Sequence, residues 1–233
     1  MKTFLAAAAL AALIAATPQA DAQVHASYGG ANPSSAPRSS SFLSGIHHRK
    51  IPFGTTRKRE MAAYSRHHYG KAEWRLRDPK LVVLHTAEAP TFSSVFNTFA
   101  SNAPLFGQLP GVCSHFAVGR HGARIQMVSL RIRCRHVIGL NHVAIGIEHV
   151  GYGPGPVLDN ERQLTSSLRL SHRLRCMFGI PIKGVIGHNE SLSSPFYRER
   201  DHSQRGQTSS DFPHRVMRKY RHKLARLGAC RGT

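Results

Sequence analysis

The sequence predicts an α/β domain built on a mixed β-sheet flanked by helices. Three observations carry that expectation. Short continuous apolar runs of strand type occur at Leu81-Val-Val-Leu84, Val143–Val150 and Val185-Ile186. Segments with helical spacing of apolar residues alternate with them. One further stretch, His115–Gly119 and Arg124–Val128 about His121-Gly122, reads as a hairpin. Strands that alternate with helices around one core define this class.

The elements follow in order. Leu81–Leu84 is too short for a helix, and its apolar run is unbroken, as in a strand buried on both faces. Phe92, Val95, Phe96 and Phe99 recur at helical spacing and predict a helix over Thr91–Ser101. In Ala144-Ile-Gly-Ile-Glu148, period two puts Ala144, Gly146 and Glu148 on one face and Ile145 and Ile147 on the other. The two small residues beside Glu148 leave space for an approaching group. Leu164, Leu168, Leu174 and Met177 share one face of a helix that Gly179 and Pro181 end. Val216, Tyr220, Leu224 and Leu227 mark a last helix, stopped by Gly228.

The domain is expected over residues 78–228, enough chain for a real core. Residues 1–22 read as a signal peptide: Lys2, an apolar stretch from Phe4 to Ala16, and a small-x-small site at Ala20-Asp21-Ala22. The stretch falls short of the roughly 20 residues of a membrane span, and no other long apolar run occurs, so no transmembrane segment is expected. Residues 23–77 read as a leader rich in Ser and Pro, then basic, with residues 51–78 able to pack on the domain edge. Export to the periplasm or the medium follows, with cell-wall association. Lys and Arg number 32 against 12 acidic residues, a net charge of +20. Such a balance favours anionic partners, and export excludes nucleic acid as the main one. Cys113, Cys134, Cys176 and Cys230 allow three pairings in an oxidising compartment. Cys113–Cys134 is preferred because the two flank the hairpin; small buried apolar cysteines are the alternative.

Two strand runs stop on an imidazole, at His85 and His188. A strand end places its residue on the sheet rim, where α/β folds commonly carry their sites. Thr-Ser-Ser-Asp follows, ending at Asp211. Two histidines and a carboxylate hold zinc and leave a fourth position open. Glu148, a carboxylate in an apolar strand, is costly there without a partner or a function; it is either a general base or the partner of an arginine. Asp211, before Phe212-Pro213, also reads as the N-cap of the last helix.

The series His85, Ser114-His115-Phe116, Ile145-Gly-Ile-Glu148, Gly187-His188 and Asp211 resembles the zinc-dependent N-acetylmuramoyl-L-alanine amidases, related to phage lysozyme-type amidases and peptidoglycan-recognition proteins. The resemblance covers about residues 79 to 225. It implies a single amidase/peptidoglycan-recognition-like domain with one zinc ion (Zn2+). It also implies hydrolysis of the amide between the muramic acid lactyl group and L-alanine in peptidoglycan. His85, His188 and Asp211 are then metal ligands and Glu148 the catalytic base.

This chain departs from the pattern in two ways. The segment between His188 and Asp211 is longer than is common in the family, and it holds Asp201 and His202, rival third ligands. The position two before the last ligand, often cationic or imidazole, is Ser209. Arg205, His202 or His136 are the alternative oxyanion donors, and His115 and His136 stand where the family often has site-lining residues. Two rival functions remain: a non-catalytic peptidoglycan-binding module of the same fold, and a cationic envelope-binding protein.

Overall fold

The computed structural model describes residues 44–230. The expected signal peptide, and the leader up to residue 43, lie outside the described residues. Six strands form one mixed sheet: β1 (His47–His48), β2 (Leu81–Thr86), β3 (Phe116–Val118), β4 (Arg124–Gln126), β5 (Ala144–His149) and β6 (Val185–Gly187). Their spatial order is β1-β4-β3-β5-β2-β6. The β3–β4 hairpin is antiparallel and the other pairs are parallel. The helices are α1 (Thr55–Tyr69), α2 (Phe92–Ala100), α3 (Pro154–Asp159), α4 (Glu161–Met177) and α5 (His214–Ala225). No helix among the described residues is long and apolar enough to cross a membrane.

The alternation in β5 divides the molecule as its sequence implies. Ile145 and Ile147 join Val82 and Leu84 in the main core, against Leu164, Leu174, Met217 and Tyr220 of α4 and α5. Ala144 points the other way and packs with Leu81, Val83, Val137 and Leu140. That second face carries the site. Its remaining part, with Ala117, Ile125 and Met127, is covered by Val95 and Phe99 of α2. Cys113 pairs with Cys134, and Cys176 with Cys230.

Segments before residue 78 join the sheet and pack on the domain. β1 adds a strand to β4, and the backbone continues bonding through Arg49 N to Gln126 O and Ile51 N to Met127 O, each 3.1 Å. The helix α1 buries Arg57, Met61, Tyr64, Ser65, His68 and Tyr69. Half of that face is polar, which weakened the apolar periodicity in the sequence. The Arg57 guanidinium and the His68 ring meet tertiary partners instead. Arg57 donates to the carbonyls of Phe99 (2.8 Å), Gly111 (3.2 Å) and Val112 (3.1 Å). Buried polar groups persist only with such partners.

One correction concerns Asp211. The N-cap of α5 is Pro213, with no side-chain cap bond. The Asp211 carboxylate turns instead toward β2.

Candidate metal centre

The site lies at the carboxyl ends of β2, β5 and β6. Parallel pairing sets His85 beside Glu148 in register, so both side chains leave the same sheet face. His188 directly follows β6, where the chain enters a 3-10 turn over His188–Ser193. Asp211 is brought back to His188 by the hydrogen bond from Asn189 N to Asp211 O, 2.9 Å. Gly187 is required at that closure: a Cβ there would collide with the backbone and side chain of Phe212. Phe212 is fully buried and sits at φ 48°, a conformation non-glycine residues adopt only where surrounding structure enforces it.

His85, His188 and Asp211 each offer one ligand atom, all within 4.8 Å of one another. The Nδ1 atoms of His85 and His188 stand 3.1 Å apart. Donors on a tetrahedral zinc ion, at about 2.0–2.1 Å from it, are separated by about 3.3 Å. Burial holds His85 well below its ordinary range, helped by His188 and His136, and lowers His188 to about 4. Both rings are therefore neutral near pH 7, the form that ligates a metal. The donor set fits zinc in type, spacing and protonation. Burial raises Asp211 despite the Thr86 hydroxyl, which lies 2.6 Å from Oδ1.

Glu148 is buried beside these groups. Burial, then the charges of Asp211 and Glu88, push its carboxyl up to about 8. Glu88 carries no strand or helix signal and escaped the sequence analysis. It sits at φ 47°, with Oε1 2.8 Å from Thr86 Oγ1 and accepting from Gly153 N at 3.1 Å. The Thr86 hydroxyl thus lies between Glu88 and Asp211, with one proton for two carboxyls. The sharp turn of chain at Glu88 puts a third carboxyl at the rim.

His136 and His115 lie behind the centre rather than over it. His85 Nε2 is 2.9 Å from His136 Nδ1, and His136 Nε2 is 3.4 Å from Ala144 O. With His85 Nδ1 free to ligate, His85 Nε2–H donates to His136, whose own N–H points to the Ala144 carbonyl. This partner orients the ligand ring. His115 Nδ1 accepts from Gly146 N at 3.0 Å, and its Nε2–H donates to Ile132 O at 2.9 Å. The space beside Glu148 is taken by these groups: a Cβ on Gly146 would stand 2.6 Å from Ser114 Oγ and 2.9 Å from the His136 ring. Another brace was not foreseen. His149 Nδ1–H donates to His85 O at 2.8 Å, while Nε2 meets Ser167 Oγ at 2.7 Å, itself 2.7 Å from Tyr220 OH.

Ser209 accepts from Asp211 N at 3.1 Å, so its hydroxyl shapes the Asp211 turn. Arg205 donates to Glu199 O at 3.3 and 3.1 Å. Asp201 does not join His85 and His188; it groups with His67 and His68.

Comparison with known proteins follows this geometry. No curated protein matches the sequence. Among solved structures, LysC from Clostridium intestinale URNW, an N-acetylmuramoyl-L-alanine amidase, is 14% identical with TM-score 0.48, covering 77% of this chain and 96% of that one. PlyL is 15% identical with TM-score 0.48, covering 80% and 98%. Drosophila PGRP-LB is 14% identical with TM-score 0.45, covering 62% and 82%. The family model described as N-acetylmuramoyl-L-alanine amidase matches residues 75–207, a stretch that holds His85, Glu148 and His188. More than half of the sequence is thereby matched, and the chain belongs to the N-acetylmuramoyl-L-alanine amidase family.

Proposed function

We propose that the protein is an exported, zinc-dependent hydrolase that cleaves the amide between N-acetylmuramic acid and L-alanine in peptidoglycan. One observation carries the reading: His85, His188 and Asp211 converge at the rim where Glu148 stands in register with His85. What zinc supplies in such a donor set is Lewis acidity.

The chain's own residues do the rest. Glu148 takes the proton of the attacking water at its carboxylate. Buried beside the candidate ligands, it returns that proton to the departing L-alanine nitrogen. The Thr86 hydroxyl keeps the carboxylate of Asp211, the third ligand, turned to the rim. His136 keeps the His85 ring in one tautomer. The net charge of +20 draws the protein to anionic wall polymer.

The test is digestion of purified peptidoglycan with zinc present and mass spectrometry of the products. Free stem peptides with an L-alanine amino terminus are expected; intact muropeptides only would overturn the proposal. One observation favours a second reading, a binding module of the same fold. Ser209, where the family often has a cationic side chain, is committed to the Asp211 turn. Saturable peptidoglycan binding without amide cleavage would select it.

A further inference from the structure

We propose that the chain carries a second divalent-cation site of the zinc class, built from His67, His68 and Asp201. His67 and His68 end α1, and Asp201 lies in the long segment between β6 and α5. The three offer ligand atoms within 4.8 Å of one another. His67 Nε2 is 2.9 Å from Asp201 Oδ2, and His68 Nε2 is 3.1 Å from Gln108 Oε1. The His67–Asp201 spacing approaches the about 3.3 Å between donors on one tetrahedral ion, as at His85 and His188.

The groups behind the donors are arranged as supports. His68 is buried, and its Nδ1 stands 2.8 Å from Glu199 Oε1. A neutral imidazole has one N–H. With Nδ1–H given to the Glu199 carboxylate, Nε2 is the nitrogen left to an ion. A carboxylate on the far nitrogen of a ligand histidine is a recurrent support of metal sites. Asp201 is divided in the same way: Oδ1 accepts from Ser203 N at 2.9 Å and Ser203 Oγ at 2.6 Å, while Oδ2 faces His67 Nε2 at 2.9 Å and Gln108 Nε2 at 3.4 Å. Glu199 Oε2 is buried with no hydrogen-bond partner, unspent negative charge next to the cluster. The His67 side chain is 58% exposed, giving an ion a route from solvent. Two imidazoles and one carboxylate suit Zn2+ or Co2+ better than Ca2+ or Mg2+, which prefer oxygen.

An ion there would clip α1 to a segment 134 residues away, the one that leads to Asp211. The full chain, stripped with a chelator and titrated with ZnCl2, should bind about two ions, one per three-ligand site. The double variant His67→Ala/Asp201→Asn should bind one and still cleave peptidoglycan. His85→Ala should also retain one. His67→Gln, at an exposed ring whose loss leaves no cavity, should weaken one of the two binding steps more than about tenfold. A single zinc per chain, lost in His85→Ala and untouched by His67→Gln, would overturn the proposal and leave His67 and His68 as ion-pair partners of Asp201 and Glu199. One zinc kept in His85→Ala but lost with His67 would support this site and refute the first.

Discussion

Glu148→Gln should make the metal-free protein more stable and the zinc-loaded protein nearly inactive. The substitution keeps the shape and removes the charge. Glu148 is buried, and its carboxyl is pushed from 4.5 up to about 8. The folded chain therefore keeps a proton that the unfolded chain releases between those values. The sign follows: a raised carboxyl costs stability increasingly as pH climbs through this window. At pH 7 the difference spans about 2.5 pH units, or about 3 kcal/mol at 1.36 kcal/mol per unit. Glutamine escapes that cost, so its metal-free form should unfold at higher urea, with a Tm raised by about 6–12 °C. The gap should widen from pH 6.5 to pH 8. Loss of the base should lower kcat on peptidoglycan by about 10²–10⁴, with zinc content unchanged. Urea unfolding of chelator-treated protein measures the first effect and product release with zinc the second. Equal stability of the two proteins across pH 6.5–8 would refute the burial argument. A wild-type kcat would refute the role of Glu148 as base.

Three further outcomes are expected. Asp211→Ala should lose zinc and activity together, while Asp201→Asn should keep amidase activity, as metal analysis and turnover will show; the reverse pattern would move the third ligand into the segment 189–210. His136→Phe should weaken zinc binding by about 10–100-fold through loss of the His85 support, measured by competition with a chelator; unchanged affinity would reduce His136 to packing. His115 and His149 are held neutral by burial at about 4 against 6.5, so each adds stability present above pH 6.5 and lost as pH falls toward 4, on the order of 3 kcal/mol. Acid unfolding of His149→Gln should be shallower over pH 4–6.5 than that of the parent; parallel curves would show that His149 is not buried neutral.

Much of the fold was legible because it rests on local pattern. Ile145 and Ile147 against Ala144, Gly146 and Glu148 is a statement about alternation, and β5 splits its faces accordingly. The apolar runs that end at His85 and His188 could only be buried strands with an imidazole at the rim. α1 was not legible, because its buried face is made of Arg57, Ser65 and His68 as much as Met61 and Tyr64. Arg57 and His68 are met there by carbonyls and a carboxylate from distant segments, and those partners cannot be read from neighbouring sequence. The same holds for Glu88, placed by a turn at positive φ.

By itself, then, the sequence determined the alternation of strands and helices, the two strand-end histidines and the strand carboxylate. Each depends on spacing along one segment of chain. Tertiary structure alone decided how the acids were allotted. Asp211 follows Ser209 and Ser210 into a turn that Gly187 and Phe212 close over β6, which takes it away from the alternative cap position and to the side of His188, the neighbour the resemblance implies. Asp201, ten residues earlier, is drawn instead to the end of α1, where His67 Nε2 stands 2.9 Å from its Oδ2. Two aspartates in one polar segment look alike in sequence. Which imidazoles they face depends on contacts spanning more than a hundred residues, and only the folded chain brings those together.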